Sequence, residues 1–359
     1  MLSLLFRRSL SNHLPRSRLL NTLLVAIVLG LAFAPFITSG ARPLNTAASI
    51  CVYIILVASY DLLLGYTGIV SFAHTMFFGI GAYGIGIGLS AEQPSWSGAL
   101  SGLLLALLLS LTLALVIGLF ALRVRAIFYS MITLAVASSF AVLASQLSDI
   151  TGGEDGKIFS VPELISPSFE LLSTPIMGRH IDGKIICYYL LFFSAVALFL
   201  LMLRLVNSPF GKVLQAIREN EFRAEAIGYR TVFYKISANC IAAILATLAG
   251  AMMALWLKYV GPKTMLSFEV MTDILLIVVI GGMGSLYGAI IGSALFLILQ
   301  NYLKTLMAQA NESLTDLPWL AQVLHPDRWL FWLGILFVLS VYFFPTGIVG
   351  KLNARRKIE

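Results

Sequence analysis

Residues 209–230 read PFGKVLQAIRENEFRAEAIGYR, a charged stretch in a chain that is otherwise largely apolar. Six Lys/Arg fall between Arg204 and Lys235, alternating in part with Glu219, Glu221 and Glu225. Asn207 or Ser208 is placed to cap a helix, and Pro209 suits its first position. Phe210, Val213, Leu214 and Ile217 then share one face at i, i+3, i+4 and i+7. Lys212, Gln215, Arg218 and Glu219 fall elsewhere. Residues 221–228 continue as a second short helix ended by Gly228. A basic surface helix resting on lipid accounts for the positive charges but not for the interleaved glutamates. Mixed signs on a well-capped element suit a protein partner better.

The surroundings say where this element lies. The chain has 359 residues, 59% hydrophobic and 11% charged, with mean hydropathy +0.93. Soluble domains carry about 25% charged residues. A bilayer core of about 30 Å takes roughly 20 apolar residues in a helix, and ten such spans are expected, near 19–38, 44–64, 68–89, 98–122, 126–148, 185–206, 235–257, 270–283, 285–307 and 329–349. The expected fold is an all-α polytopic membrane protein forming one transmembrane domain over 1–359. Span 270–283 is short and Gly-terminated, so it reads either as a full crossing or as a broken, re-entrant helix. The stretches LLLGYTGIVSFAHTMFFGIGAY (62–83) and LIVVIGGMGSLYGAIIGSALF (276–296) echo one another, each apolar, then Gly-rich, then apolar. Internal repeats with broken helices are common in transporters, though Gly-rich helices are common in membranes generally.

Charge fixes the orientation. With ten spans both termini share a side, and that side carries 16 of the 24 Lys/Arg, including Arg7, Arg8, Arg16, Arg18, Arg123, Arg125 and the 204–235 stretch. Of the 17 acidic residues, 12 fall on the other side. Positive loops face the cytoplasm, so both termini and residues 207–234 are expected inside, with loops 149–184 and 308–328 outside. Ala32-Phe33-Ala34 imitates a signal cleavage site, but Pro35 follows and the apolar run continues, so the first span reads as uncleaved.

The net charge of +7 does not indicate nucleic acid, because the basic residues flank apolar runs. Gly79-Ile80-Gly81-Ala82-Tyr83-Gly84 matches GxGxxG but lies inside a membrane run, where small residues serve close helix packing. Gly152-Gly153-Glu154-Asp155-Gly156-Lys157 lacks the first Gly and the final Ser/Thr of a phosphate loop. No nucleotide or metal motif and no catalytic set emerges, so neither enzyme chemistry nor a cofactor is expected in this chain. Cys51, Cys187 and Cys240 read as small core residues. Ser71 and His74 sit at membrane depth, where the histidine either lines a pathway or relays protons, or is a neutral ring bonded to a backbone carbonyl at a helix break. Gly284, Gly288 and Gly292 fall on one helix face, packing either within this chain or against a second membrane subunit.

The segment SPFGKVLQAIRENEFRAEAIGY resembles the cytoplasmic coupling segment of permeases from the branched-chain amino acid ABC importer family. DLLLGYTGIVSFAHTMFFGIGAY, LRVRAIFYSMITLA, TGGEDG and IVVIGGMGSLYGAIIGSAL match the same family. These stretches spread over roughly residues 45–300, and the TGGEDG and RENE runs resemble the M-type subunit. The resemblance implies an inner-membrane importer that pairs this chain with an H-type permease. Two ATPase subunits, which carry ATP and Mg, and a periplasmic binding protein complete it. It implies that Arg218, Glu219, Glu221, Arg223, Ala224, Glu225, Ala226 and Gly228 engage an ATPase. The outer acidic loop, with Gly152, Gly153, Glu154 and Asp155, is expected to dock the binding protein. Substrates implied are branched-chain or other hydrophobic amino acids. Urea or a short-chain amide is the alternative within similar importers. An ion-coupled secondary transporter would need intramembrane carboxylates or a clear ion site, where the sequence offers only His74, with Asp61 and Asp273 close to span ends, and a channel would need a polar stripe, which the sequence does not show.

Overall fold

The computed structural model describes residues 17–354 except 38–39, 91–93, 122–125, 177–178, 314–324 and 345. Arg7, Arg8, Arg16, Arg123, Arg125, Arg355, Arg356 and Lys357, on which part of the orientation rests, lie outside the described residues, as do Pro318 and Trp319 of the second outer loop.

Apolar runs become helices because a lipid-embedded backbone must bond within its own segment. In order they are α1 (Arg18–Ile37), α2 (Ala41–Thr67), α3 (His74–Gly88), α4 (Trp96–Ala121) and α5 (Ala126–Gln146). After the short α6 (Ser148–Thr151) come α7 (Gly183–Val206), α8 (Pro209–Glu219), α9 (Glu221–Ala226) and α10 (Thr231–Leu257). The last are α11 (Pro262–Met265), α12 (Phe268–Gly281), α13 (Leu286–Ser313), α14 (Trp329–Phe343) and α15 (Gly347–Ala354). Nine helical stretches among the described residues are long and apolar enough to cross a membrane. The difference from ten lies in the third span. Residues 68–73 are not helical, and the 15 residues of α3 cover only about 22 Å at 1.5 Å each. Span 270–283 is continuous helix as far as Gly281; with α11 before it, Pro262–Gly281 is long and apolar enough to cross, and the interruption at Leu266 and Ser267 lies ahead of the span read from sequence. Pro35 lies inside α1, which runs on through the imitation cleavage site.

The two echoing stretches take the same form. In each, a helix ends at a glycine with positive φ, 74° at Gly68 and 115° at Gly282, the chain breaks, and a new helix starts. Both breaks lie at the end of the bundle that carries α8 and α9.

The core forms around α2, which is buried on nearly every side. Helix α10 packs across α2, α3 and α4, and glycines set the approach. A Cβ at Gly81 would lie 1.9 Å from the Thr247 carbonyl oxygen, and one at Gly250 would lie 1.8 Å from that of Phe78. The GxGxxG stretch is thus a backbone-to-backbone packing face. The three cysteines are free and buried. By contrast, α4 and α5 carry a wide exposed apolar face that includes Leu104, Leu105, Leu108, Phe128 and Met131.

The 149–184 segment is not all loop. Strand β1 (Lys157–Ile158) pairs antiparallel with β4 (Tyr259–Val260), and β2 (Glu170–Ile176) forms a hairpin with β3 (Arg179–Asp182). The β1–β4 pairing, two residues on each side, carries too little alternation to read from sequence. The Gly152–Gly156 turn fits under β4: a Cβ at Gly156 would sit 2.3 Å from the Val260 carbonyl oxygen, and the Tyr259 hydroxyl donates to the Asp155 carbonyl at 2.8 Å.

Candidate functional site

Helices α8 and α9 form a small bracket at one end of the bundle. Ser208 caps α8 by accepting from the Gly211 N–H, with Pro209 in the first turn. Asn220 ends α8 and caps α9, its Oδ1 accepting from the Arg223 N–H at 2.9 Å. Each cap contributes about 1 kcal/mol, enough to matter for helices this short. The apolar face is the one that the spacing gives: Val213, Leu214 and Ile217 are buried, and Phe210 stacks on Tyr234 at 5.7 Å. Gly228 closes α9 with φ 96°.

Two acidic residues hold the bracket to the start of α10. Glu221 Oε1 takes a hydrogen bond and ion pair from Lys235 Nζ at 2.5 Å, and Glu225 Oε1 accepts from the Thr231 hydroxyl at 2.6 Å. Ala224 is 1% exposed and packs on Val213 and Ile217; it faces this chain and is not available for close approach by a partner. Glu219, Arg223, Ala226 and Gly228 are exposed. So are two residues that the sequence reading passed over, Phe222 at 82% and Ile227 at 69%. Their signal was two apolar side chains off the buried face in an otherwise charged segment.

Arg218 is exposed, yet its guanidinium reaches across to the end of α2. Its Nη1 donates to the Gly65 carbonyl near the end of α2. Asp61, one turn back on α2 and 2% exposed, accepts from the Gly284 N–H at 2.8 Å. A Cβ at Gly65 would meet Asp61 Oδ1 at 2.0 Å and the Gly284 nitrogen at 2.4 Å. The bracket, α2 and the α12–α13 break therefore meet at one point. Gly284 lies in that break with φ 81°, before α13 begins, so the three glycines do not share a helix face. The break frees the Gly284 N–H for Asp61. Gly288 and Gly292 do face α12, against the Gly281 and Ile277 backbones.

His74 opens α3 and is 1% exposed. Its Nε2 lies 2.8 Å from Ser59 Oγ and 3.2 Å from the Leu56 carbonyl oxygen, and its ring meets Tyr60 edge-on at 5.2 Å. This is the arrangement of a carbonyl-bonded ring at a helix break. Ser71 is also buried, its Oγ 3.4 Å from the Ala73 N–H. At the other end of the bundle Glu154 and Asp155 are exposed, while Gly152 and Gly153, with φ 81° and 66°, shape their turn. Among the described residues no three His, Cys, Asp or Glu are grouped to hold a metal.

Apolar helices in this number, broken where they meet and carrying a capped, charged bracket at one end, make a polytopic membrane permease. The chain belongs to the family described as branched-chain amino acid transport system / permease component, which matches residues 42–341. It is similar to the high-affinity branched-chain amino acid transport system permease protein LivM of Escherichia coli K12, 26% identical over 350 residues, 94% of this chain and 76% of that protein. The LivM of Salmonella typhimurium LT2 is 25% identical over the same shares. A probable branched-chain amino acid transport permease protein LivM of Methanocaldococcus jannaschii is 25% identical over 187 residues, 50% of this chain and 52% of that one. No solved structure matches. The chain is a permease subunit of an ABC importer, a transport component.

Proposed function

We propose that this subunit imports branched-chain or similar hydrophobic amino acids across a bacterial inner membrane, with both termini and the α8–α9 bracket cytoplasmic. It works beside an H-type permease and above two ATPase subunits, and it receives substrate from a periplasmic binding protein at the Glu154–Asp155 end. The observation that carries the reading is the bracket. Its inner face is fully used within this chain, and its outer face presents Phe222, Ala226 and Ile227 beside Glu219 and Arg223, whose side chains make no ion pair among the described residues. Apolar anchors ringed by charges are what a protein partner buries, the anchors giving affinity and the charges register. Arg218 then links that partner to the Gly65–Asp61–Gly284 junction, so a movement of the bracket is felt where α2 meets the α12–α13 break.

The experiment is Ala226→Trp. The side chain is exposed, so the permease should fold and reach the membrane normally. ATPase subunits should be lost on co-purification, and amino acid uptake with them. Normal uptake with ATPases in place would remove the coupling role.

A further inference from the structure

We propose that the end of the bundle opposite the bracket holds an acceptance site for one zwitterionic, apolar amino acid. This rests on the transport reading above. A cavity of about 270 Å³ opens there between α5, the Gly152–Gly156 turn and the α11–α12 break. Its apolar walls include Val142, Pro262 and Leu266, and its polar groups include Ser145, Glu154 and Lys263. The size lies near the lower end for small-molecule pockets, about 300 Å³, which suits a single amino acid and excludes a peptide.

The charges are the informative part. Glu154 and Lys263 both line the cavity and are both exposed, and neither makes an ion pair or side-chain hydrogen bond among the described residues. Each charge is carried by a structured element that borders the cavity. Glu154 rides on a turn pinned by the Gly152 and Gly156 backbone contacts and by Tyr259, and Lys263 on α11. A ligand bearing both an ammonium and a carboxylate satisfies the two at once, Glu154 accepting from the ammonium and Lys263 donating to the carboxylate. The start of α12 beside Lys263 adds the positive end of a helix dipole on the carboxylate's side. Val142 and Leu266 remain for the side chain. Leu266 also packs against Gly79 of α3, so an occupant touches a residue in contact with the central helices. A neutral amide such as urea has no use for the two charges.

The test is protection of an introduced thiol. Ser145→Cys places one in the cavity wall, and the native cysteines are buried. The full-length chain, purified in detergent with the partner subunits it retains, is alkylated with N-ethylmaleimide. L-Leucine at about ten times its dissociation constant should slow the reaction roughly tenfold, since the free fraction falls as 1 + [L]/Kd. In the same background Glu154→Gln and Lys263→Gln should each weaken protection about tenfold or more, the range for a lost charge-assisted hydrogen bond, and leave the rate without leucine unchanged. 3-Methylbutylamine and 4-methylpentanoate, each with one of the two charges, should protect far more weakly than leucine. No protection by leucine, protection unchanged in both charge variants, or equal protection by the singly charged analogues overturns the site. Absent protection alongside normal leucine uptake by the reconstituted importer counts against this site alone, whereas import of urea in place of leucine counts against the transport reading.

Discussion

Gly65→Ala adds one methyl group at the junction of α2 with the α12–α13 break. The Cβ would stand 2.0 Å from Asp61 Oδ1 and 2.4 Å from the Gly284 nitrogen. One of these is backbone, so the clash cannot be relieved by a rotamer. Overpacking of this kind costs about 1–3 kcal/mol. Pushing Gly284 away also weakens its hydrogen bond to a carboxylate, a bond of about 1.5–3 kcal/mol. Against this stands the better helix propensity of alanine, about 0.5–1 kcal/mol. The loss wins by about 2–5 kcal/mol. Gly30→Ala is the matched control: it lies inside α1 with nothing within 4 Å of its Cβ, so only the propensity gain of about 0.5–1 kcal/mol remains. Thermal denaturation of the purified permease should rank the three proteins Gly30→Ala at or above wild type, and Gly65→Ala well below. ATP hydrolysis in the Gly65→Ala complex should lose its link to uptake, because the Arg218 acceptor is displaced as well. A Gly65→Ala protein as stable as Gly30→Ala, with uptake intact, refutes the reasoning about this junction.

Ala224→Trp should behave unlike Ala226→Trp: Ala224 is sealed against Val213 and Ile217, so the bracket itself should loosen, by about 1–3 kcal/mol of overpacking, seen as faster proteolysis between α8 and α10. Glu154→Cys in a cysteine-free background should react with an impermeant maleimide from the periplasm; labelling only after the inner membrane is opened would reverse the orientation. Asp155→Lys should weaken stimulation by the binding protein while leaving basal ATP hydrolysis unchanged, and the effect should shrink as salt screens the exposed charge; unchanged stimulation at low salt would remove that docking assignment.

Much of the bracket was legible because its signals are local. A cap residue, a proline in the first turn, an apolar spacing of three and four, and a terminal glycine all act within one or two turns. The spans were legible because lipid demands runs of apolar residues. The third span was overrun, since Gly68-Ile69-Val70-Ser71 is apolar enough to continue a helix by composition yet breaks at a left-handed glycine. What lay beyond the sequence is what depends on distant partners. Asp61 and Gly284 are 223 residues apart, and nothing near either names the other. Arg218 carries a charge like its neighbours, and only the fold brings its guanidinium to Gly65. Ala224 falls in a helix of six residues, too short for periodicity to reveal its buried side. The β1–β4 pairing is a tertiary contact between two dipeptides, which explains the glycines of the TGGEDG turn as places where two backbones nearly touch.

The most direct measurement is uptake of radiolabelled leucine into vesicles containing this subunit, its partner permease and the two ATPases, with the binding protein supplied outside. Import that requires ATP and the binding protein together, and that disappears with Ala226→Trp while the permease remains folded, is the predicted result. Leucine import by this chain without the ATPases, driven by an ion gradient, would contradict the account.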